Sequence, residues 1–81
     1  MLEHIRLSLR LTTEVFDSEI ESLINGCLAD LKLIGIDTNK NDQLIKQAVT
    51  LYCKAHFGDM TVKYIDIYEN LKTVLALVQN V

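Results

Sequence analysis

The sequence predicts an all-α fold, a small bundle of three long helices preceded by a short N-terminal helix or arm. Three observations predict it. There is no proline, and Gly26, Gly35 and Gly58 are the only glycines. Long helices tolerate that composition, whereas a β-sandwich needs many turn residues. Apolar residues recur three and four apart over three long stretches, as one buried helix face demands. Finally, 81 residues are too few to divide into two cores, so residues 1–81 are read as a single domain.

Residues 2–11 are the ambiguous element. Leu2, Ile5 and Leu9 fit a helical stripe, while Ile5, Leu7, Leu9 and Leu11 alternate with Arg6, Ser8 and Arg10 as a strand would. Leucine is a good helix former and β-branched residues are nearly absent here, which favours a short helix over an extended arm. Thr12-Thr13-Glu14 reads as a linker. Asp17 is placed to cap the second helix, with Glu19 and Glu21 in the first turns, where the helix dipole favours acids. That helix runs to about Leu33 on the stripe Ile20, Leu23, Ile24, Cys27, Leu28, Leu31 and Ile34. Gly26 within it costs about 1 kcal/mol against alanine, a cost that a closely passing neighbour would justify. Gly35 ends the helix as a C′ glycine, with Ile36 packing back over the last turn.

The polar turn Asp37–Asp42 leads into a helix from about Asp42 to Phe57, capped by Asn41 or Thr38. Its inward face is Leu44, Ile45, Ala48, Val49, Tyr52, Ala55 and His56, and Gly58 breaks the pattern. The last helix runs from about Thr61 to Gln79. Tyr64, Tyr68, Leu71, Leu75 and Val78 form its stripe, broadened by Ile65, Val74 and Leu77. This regular spacing marks a packing seam, inside one subunit or between two.

Composition narrows the function. The net charge is −3, and the eight basic residues are scattered singly, unlike the basic cluster of a protein that coats duplex DNA. No segment approaches the roughly 18 consecutive apolar residues of a membrane span, and the N-terminus lacks a signal-peptide layout. Cys27 and Cys53 sit inside apolar helical patterns and read as reduced core residues of a cytosolic chain. A chain of this size buries only about 60–65% of its unfolded surface. Apolar residues make up 49% of it, so some apolar surface is left for a partner.

Constellations that would do chemistry fail on inspection. Asp37-x-Asn39-x-Asn41 opens like a calcium loop, but Asp42 stands where glycine is needed and Ala48 where a bidentate glutamate is needed. Cys53 and His56 are three apart, yet no orienting acid or oxyanion hole accompanies them. His56 reads as a hydrogen-bonded histidine at the core edge. Asp66 and Glu69 share an exposed face with Lys72 and serve a solvated surface better than an acid–base pair. No cofactor or metal is called for, and the chain is not read as an enzyme. A helix-turn-helix regulator is an alternative, weakened by a long turn and by an acidic start to the recognition helix. A cytosolic helical adaptor is another.

Three segments in this order are more informative: FDSEIESLINGCLADLKLIGI (Phe16–Ile36), QAVTLYCKAHFG (Gln47–Gly58) and YIDIYENLKTVLAL (Tyr64–Leu77). Together they resemble the small head–tail connector, or DNA-packaging, proteins of long-tailed phages and prophages. The resemblance rests on Asp17, Glu19, Ile20, Leu23 and Ile24, then Asp30, Leu31, Gly35 and Ile36. Ala48, Tyr52, Lys54, Phe57 and Gly58 continue it, and Tyr68, Leu71, Lys72 and Leu75 complete it. It implies a structural virion protein that forms a ring of about a dozen copies below the portal, through a heterologous interface. Such a ring extends the DNA channel, helps retain packaged DNA without sequence-specific binding, and receives head-completion or tail proteins. It implies a place at the virion head–tail junction, and in the host bacterial cytoplasm during assembly. Within such a ring, Arg6 and Arg10 are expected to approach a neighbour's Asp17, Glu19 and Glu21, setting register more than affinity.

Overall fold

The computed structural model describes residues 1–57 and 61–79, without the side chains of Thr61 and Val62. Among these residues there are four helices and no strand: α1 (Leu2–Ser8), α2 (Asp17–Leu33), α3 (Asp42–Phe57) and α4 (Thr61–Gln79). Residues 2–8 are therefore helical. The expected role of Gly58 in turning the chain falls outside the described residues.

α3 is the central helix, and α1, α2 and α4 all pack against it. Lys54 meets Tyr64, Tyr52 meets Tyr68, and Gln79 meets Asn41, so α4 runs antiparallel to α3. Cys27 and Asp30 meet Tyr68, and Asp37 meets Gln79, so α4 runs parallel to α2. The molecule is elongated, 41 × 25 × 19 Å. One cluster of buried side chains joins the four helices: Ile5 from α1, Ile20, Ile24, Cys27 and Leu31 from α2, Ile45, Ala48, Val49 and Cys53 from α3, Tyr68 and Leu75 from α4, with Ile36 from the loop. The two cysteines are free and buried, as their apolar settings predict.

The helix ends follow local chemistry. α1 closes in a Schellman-type turn: the Leu11 N–H donates to Arg6 O and the Arg10 N–H to Leu7 O, each at 3.0 Å. That turn asks for a left-handed residue, and here Arg10 fills the position with φ 59°, where glycine is usual. α2 ends in the same motif with the expected glycine. Gly35 has φ 87°, Ile36 N–H donates to Leu31 O at 3.1 Å, and Ile36 is buried.

The start of α2 corrects one expectation. Phe16 occupies the cap position and no side chain caps the helix. Asp17 is the first helical residue, and its carboxylate is taken by Arg6 instead. Asn41 also caps differently from expectation. Its backbone carbonyl accepts the Ile45 N–H, while its side-chain oxygen accepts Gln79 Nε2 at 3.2 Å. Ile34, His56, Ile65, Val74, Leu77 and Val78, counted inward by periodicity, lie exposed. Tyr52 is only half-buried, and Tyr68 is the aromatic that enters the core.

Candidate functional site

Two places bring the sequence-selected residues together. At the first, Arg6 of α1 makes a two-pronged contact with Asp17 of α2: Nε donates to Oδ1 and Nη2 to Oδ2, both at 3.1 Å. This fork geometry suits guanidinium and carboxylate and pins α1 across the start of α2. Arg6 and Asp17 are thus paired within one chain. Arg10, Glu19 and Glu21 stand exposed nearby in the chain. Phe16 packs edge-on against Phe57, with ring centroids 5.4 Å apart, tying the start of α2 to the end of α3.

The second place is the seam between α2 and α4. Tyr68 is buried to 4% exposure, so its hydroxyl needs a partner. It donates to Asp30 Oδ2 at 2.7 Å and accepts from Cys27 Sγ at 3.6 Å. Lys72, one turn further along α4, donates to the same carboxylate oxygen at 3.3 Å and pairs with Glu69 at 3.1 Å. Its ammonium also lies 5.1 Å from the Tyr68 ring centroid, within cation–π range.

Protonation follows from this arrangement. The Tyr68 hydrogen bond, with help from Lys72, holds the Asp30 carboxyl below its ordinary range despite some burial. Burial and the Asp30 contact push the Tyr68 phenol up, so it stays a donor. Burial pulls Lys72 down, but its bonds to Glu69 and Asp30 outweigh that and raise it. Burial pushes the Cys27 thiol up to about 11 and the Cys53 thiol up to about 12. Neither is a thiolate at neutral pH, and Cys53 is fully buried while His56 is exposed. A nucleophilic pair at Cys53 and His56 has no physical basis.

His56 stacks on Tyr52 at 4.2 Å, tilted by 44°, and is therefore an edge residue of the aromatic group. Lys54 lies over the Tyr64 ring at 5.6 Å, and Leu71 packs partly buried against the core. The turn that resembled a calcium loop uses its polar groups internally. Asp37 Oδ1 accepts the Asn39 N–H, and Gln79 bridges the Asp37 backbone at 2.7 and 2.8 Å. Among the described residues, no three His, Cys, Asp or Glu side chains converge.

Beside the α2–α4 seam lies a groove of about 490 Å³. Tyr52 and Tyr68 line it, Gly26, Ala29 and Leu33 form its α2 wall, and Ile65, Glu69 and Lys72 its α4 wall. A Cβ on Gly26 would meet the Tyr52 hydroxyl at 3.4 Å, an ordinary contact with the end of a side chain, so the expected close approach of a neighbouring helix does not account for this glycine.

The fold and the site define a small all-helical protein whose α2 and α4 are joined by a part-buried polar link, with several apolar side chains left at the surface. The family model described as phage connector protein matches residues 1–80, and the chain belongs to that family. It is a family of structural proteins of the phage head–tail junction. A comparison with curated proteins and one with solved structures found no match. Among the described residues no helix is long and apolar enough to cross a membrane.

Proposed function

We propose that the chain is a ring-forming connector subunit, assembled in about a dozen copies beneath the portal. The ring extends the DNA channel, helps retain the packaged genome and receives head-completion or tail proteins. Packaged DNA passes through it without sequence-specific contacts. The subunit accumulates in the host bacterial cytoplasm, or that of a prophage carrier, before it joins the virion.

The observation that carries this reading is the family match over residues 1–80. Two physical features support it. Leu7, Val15, Leu33 and Leu77 are each more than half exposed, which suits a protein completed by its neighbours. The net charge of −3 suits a channel wall that must not grip DNA. A DNA-reading helix-turn-helix fits less well, because its recognition helix would be α3, which three neighbours cover.

At the subunit contact, Arg10 of one copy faces Glu19 and Glu21 of the next, and opposite charge sets the register. Arg6 and Asp17 contribute by holding α1 in place. Light scattering and negative-stain microscopy on concentrated protein, with and without portal, test the proposal. Rings are the expected result. Persistent monomers that instead bind duplex DNA tightly at low salt would overturn it.

A further inference from the structure

α4 carries two unfilled surfaces. One is its wall of the groove, where Ile65, Glu69 and Lys72 face α2. The other is a ridge of Ile67, Val74 and Val78, which are 40%, 44% and 43% exposed. At about 100° per residue, the ridge positions lie roughly 180° around the helix from the groove positions. Their spacing of seven and four residues is the one an amphipathic helix uses to enter a groove. The charges match as well. Asp30, Glu69 and Lys72 leave the groove one net negative charge, with the Glu69 side chain 57% exposed at its rim. Exposed Lys63 lies one turn before Ile67, on the ridge side of α4.

We propose that the α4 ridge of one copy seats in the α2–α4 groove of the next, with Lys63 of the first copy meeting Glu69 of the second. This inference rests on the ring reading and identifies its apolar contact. A groove and a ridge on opposite flanks of one helix make a head-to-tail interface, which closes into a ring when the rotation per subunit permits. A two-fold dimer would need each patch to match itself. Here the patches differ in shape and in charge.

The test uses two variants of the full chain. Val74→Glu places a charge on the ridge, where burial without a partner is costly. Ala29→Trp fills the groove from its exposed wall position. With portal present, each variant alone is expected to need at least about tenfold more protein than the wild type to assemble. Their equimolar mixture is expected to give dimers in sedimentation velocity and to stop there, because one intact ridge and one intact groove remain. Circular dichroism melting checks the fold. Lys63→Glu and Leu33→Glu replace any variant that has lost it. If both variants assemble like the wild type, or their mixture stays monomeric, the ridge-and-groove contact is overturned while the ring reading stands. If the wild type itself does not assemble, with portal or without, the ring reading falls and this contact with it.

Discussion

Tyr68 and Asp30 hold α2 to α4 through one short hydrogen bond between positions 38 residues apart. Removing the phenol oxygen leaves the Asp30 carboxylate and the Cys27 thiol with fewer partners. Tyr68→Phe is therefore expected to lower unfolding stability by about 1.5–3 kcal/mol in urea titration, as for hydrogen bonds to charged groups. Acid works on the same contact. The carboxyl of Asp30 is held below its ordinary value in the folded state, so the stability it brings is present at neutral pH. That stability is lost as pH falls below about 4 and the carboxyl takes up a proton. Asp30→Asn should narrow the difference in urea midpoint between pH 7 and pH 3. An unchanged difference would mean that Asp30 does not carry this acid sensitivity. Both residues stand out in the sequence as motif positions, but the bond between them does not. Asp30 lies beside an apolar stripe, and its spacing does not point to Tyr68 until α4 is laid parallel to α2. Tyr52 has the opposite history. Its place in the inward stripe predicts a buried anchor, yet it lines the groove, and the core aromatic is Tyr68.

At the scale of elements, α1 is held by Ile5, which is fully buried, and by the Arg6–Asp17 fork. Its exit through Arg10 in the left-handed region is strained. Arg10→Gly removes about 1–2 kcal/mol of that strain and adds about 0.5–1 kcal/mol of chain entropy cost. A net gain between about zero and 1.5 kcal/mol is expected, read as a rise in melting temperature. Ile5→Ala is expected to cost about 2–5 kcal/mol. If its melting temperature matched the wild type, α1 would not be part of the core. At the other end, Gln79 fastens the tip of α4 to the turn before α3 through Asp37 and Asn41. The helices themselves are legible in sequence, because Gly35 ends α2 with a specific turn and the apolar spacing persists across all three long segments. What fastens them is less legible. Arg6 and Asp17 look free for a neighbour when only charge is read, and Gln79 looks like an ordinary helix-end residue. Both gain partners only when distant segments are brought together.

For the whole molecule, the apolar surplus divides between a shared core and surfaces left open on α2 and α4. Periodicity assigns Ile65, Val74 and Leu77 to the buried stripe because it cannot tell a face turned to the core from one turned to another copy. Their exposure is what a subunit with unfinished contacts should show. Arg10→Glu, placed opposite Glu19 and Glu21 of a neighbour, is expected to weaken assembly while leaving the isolated chain folded, since Arg10 is exposed. Assembly that is equally salt-sensitive in this variant and in the wild type would count against that charge contact. The central claim is that one head-to-tail contact repeats until it closes. The most direct measurement is the mass distribution of the particles formed with purified portal, read particle by particle. A single closed species of about a dozen copies is predicted. A chain that stays monomeric on the portal, or a ladder of open filaments without a preferred size, would contradict it.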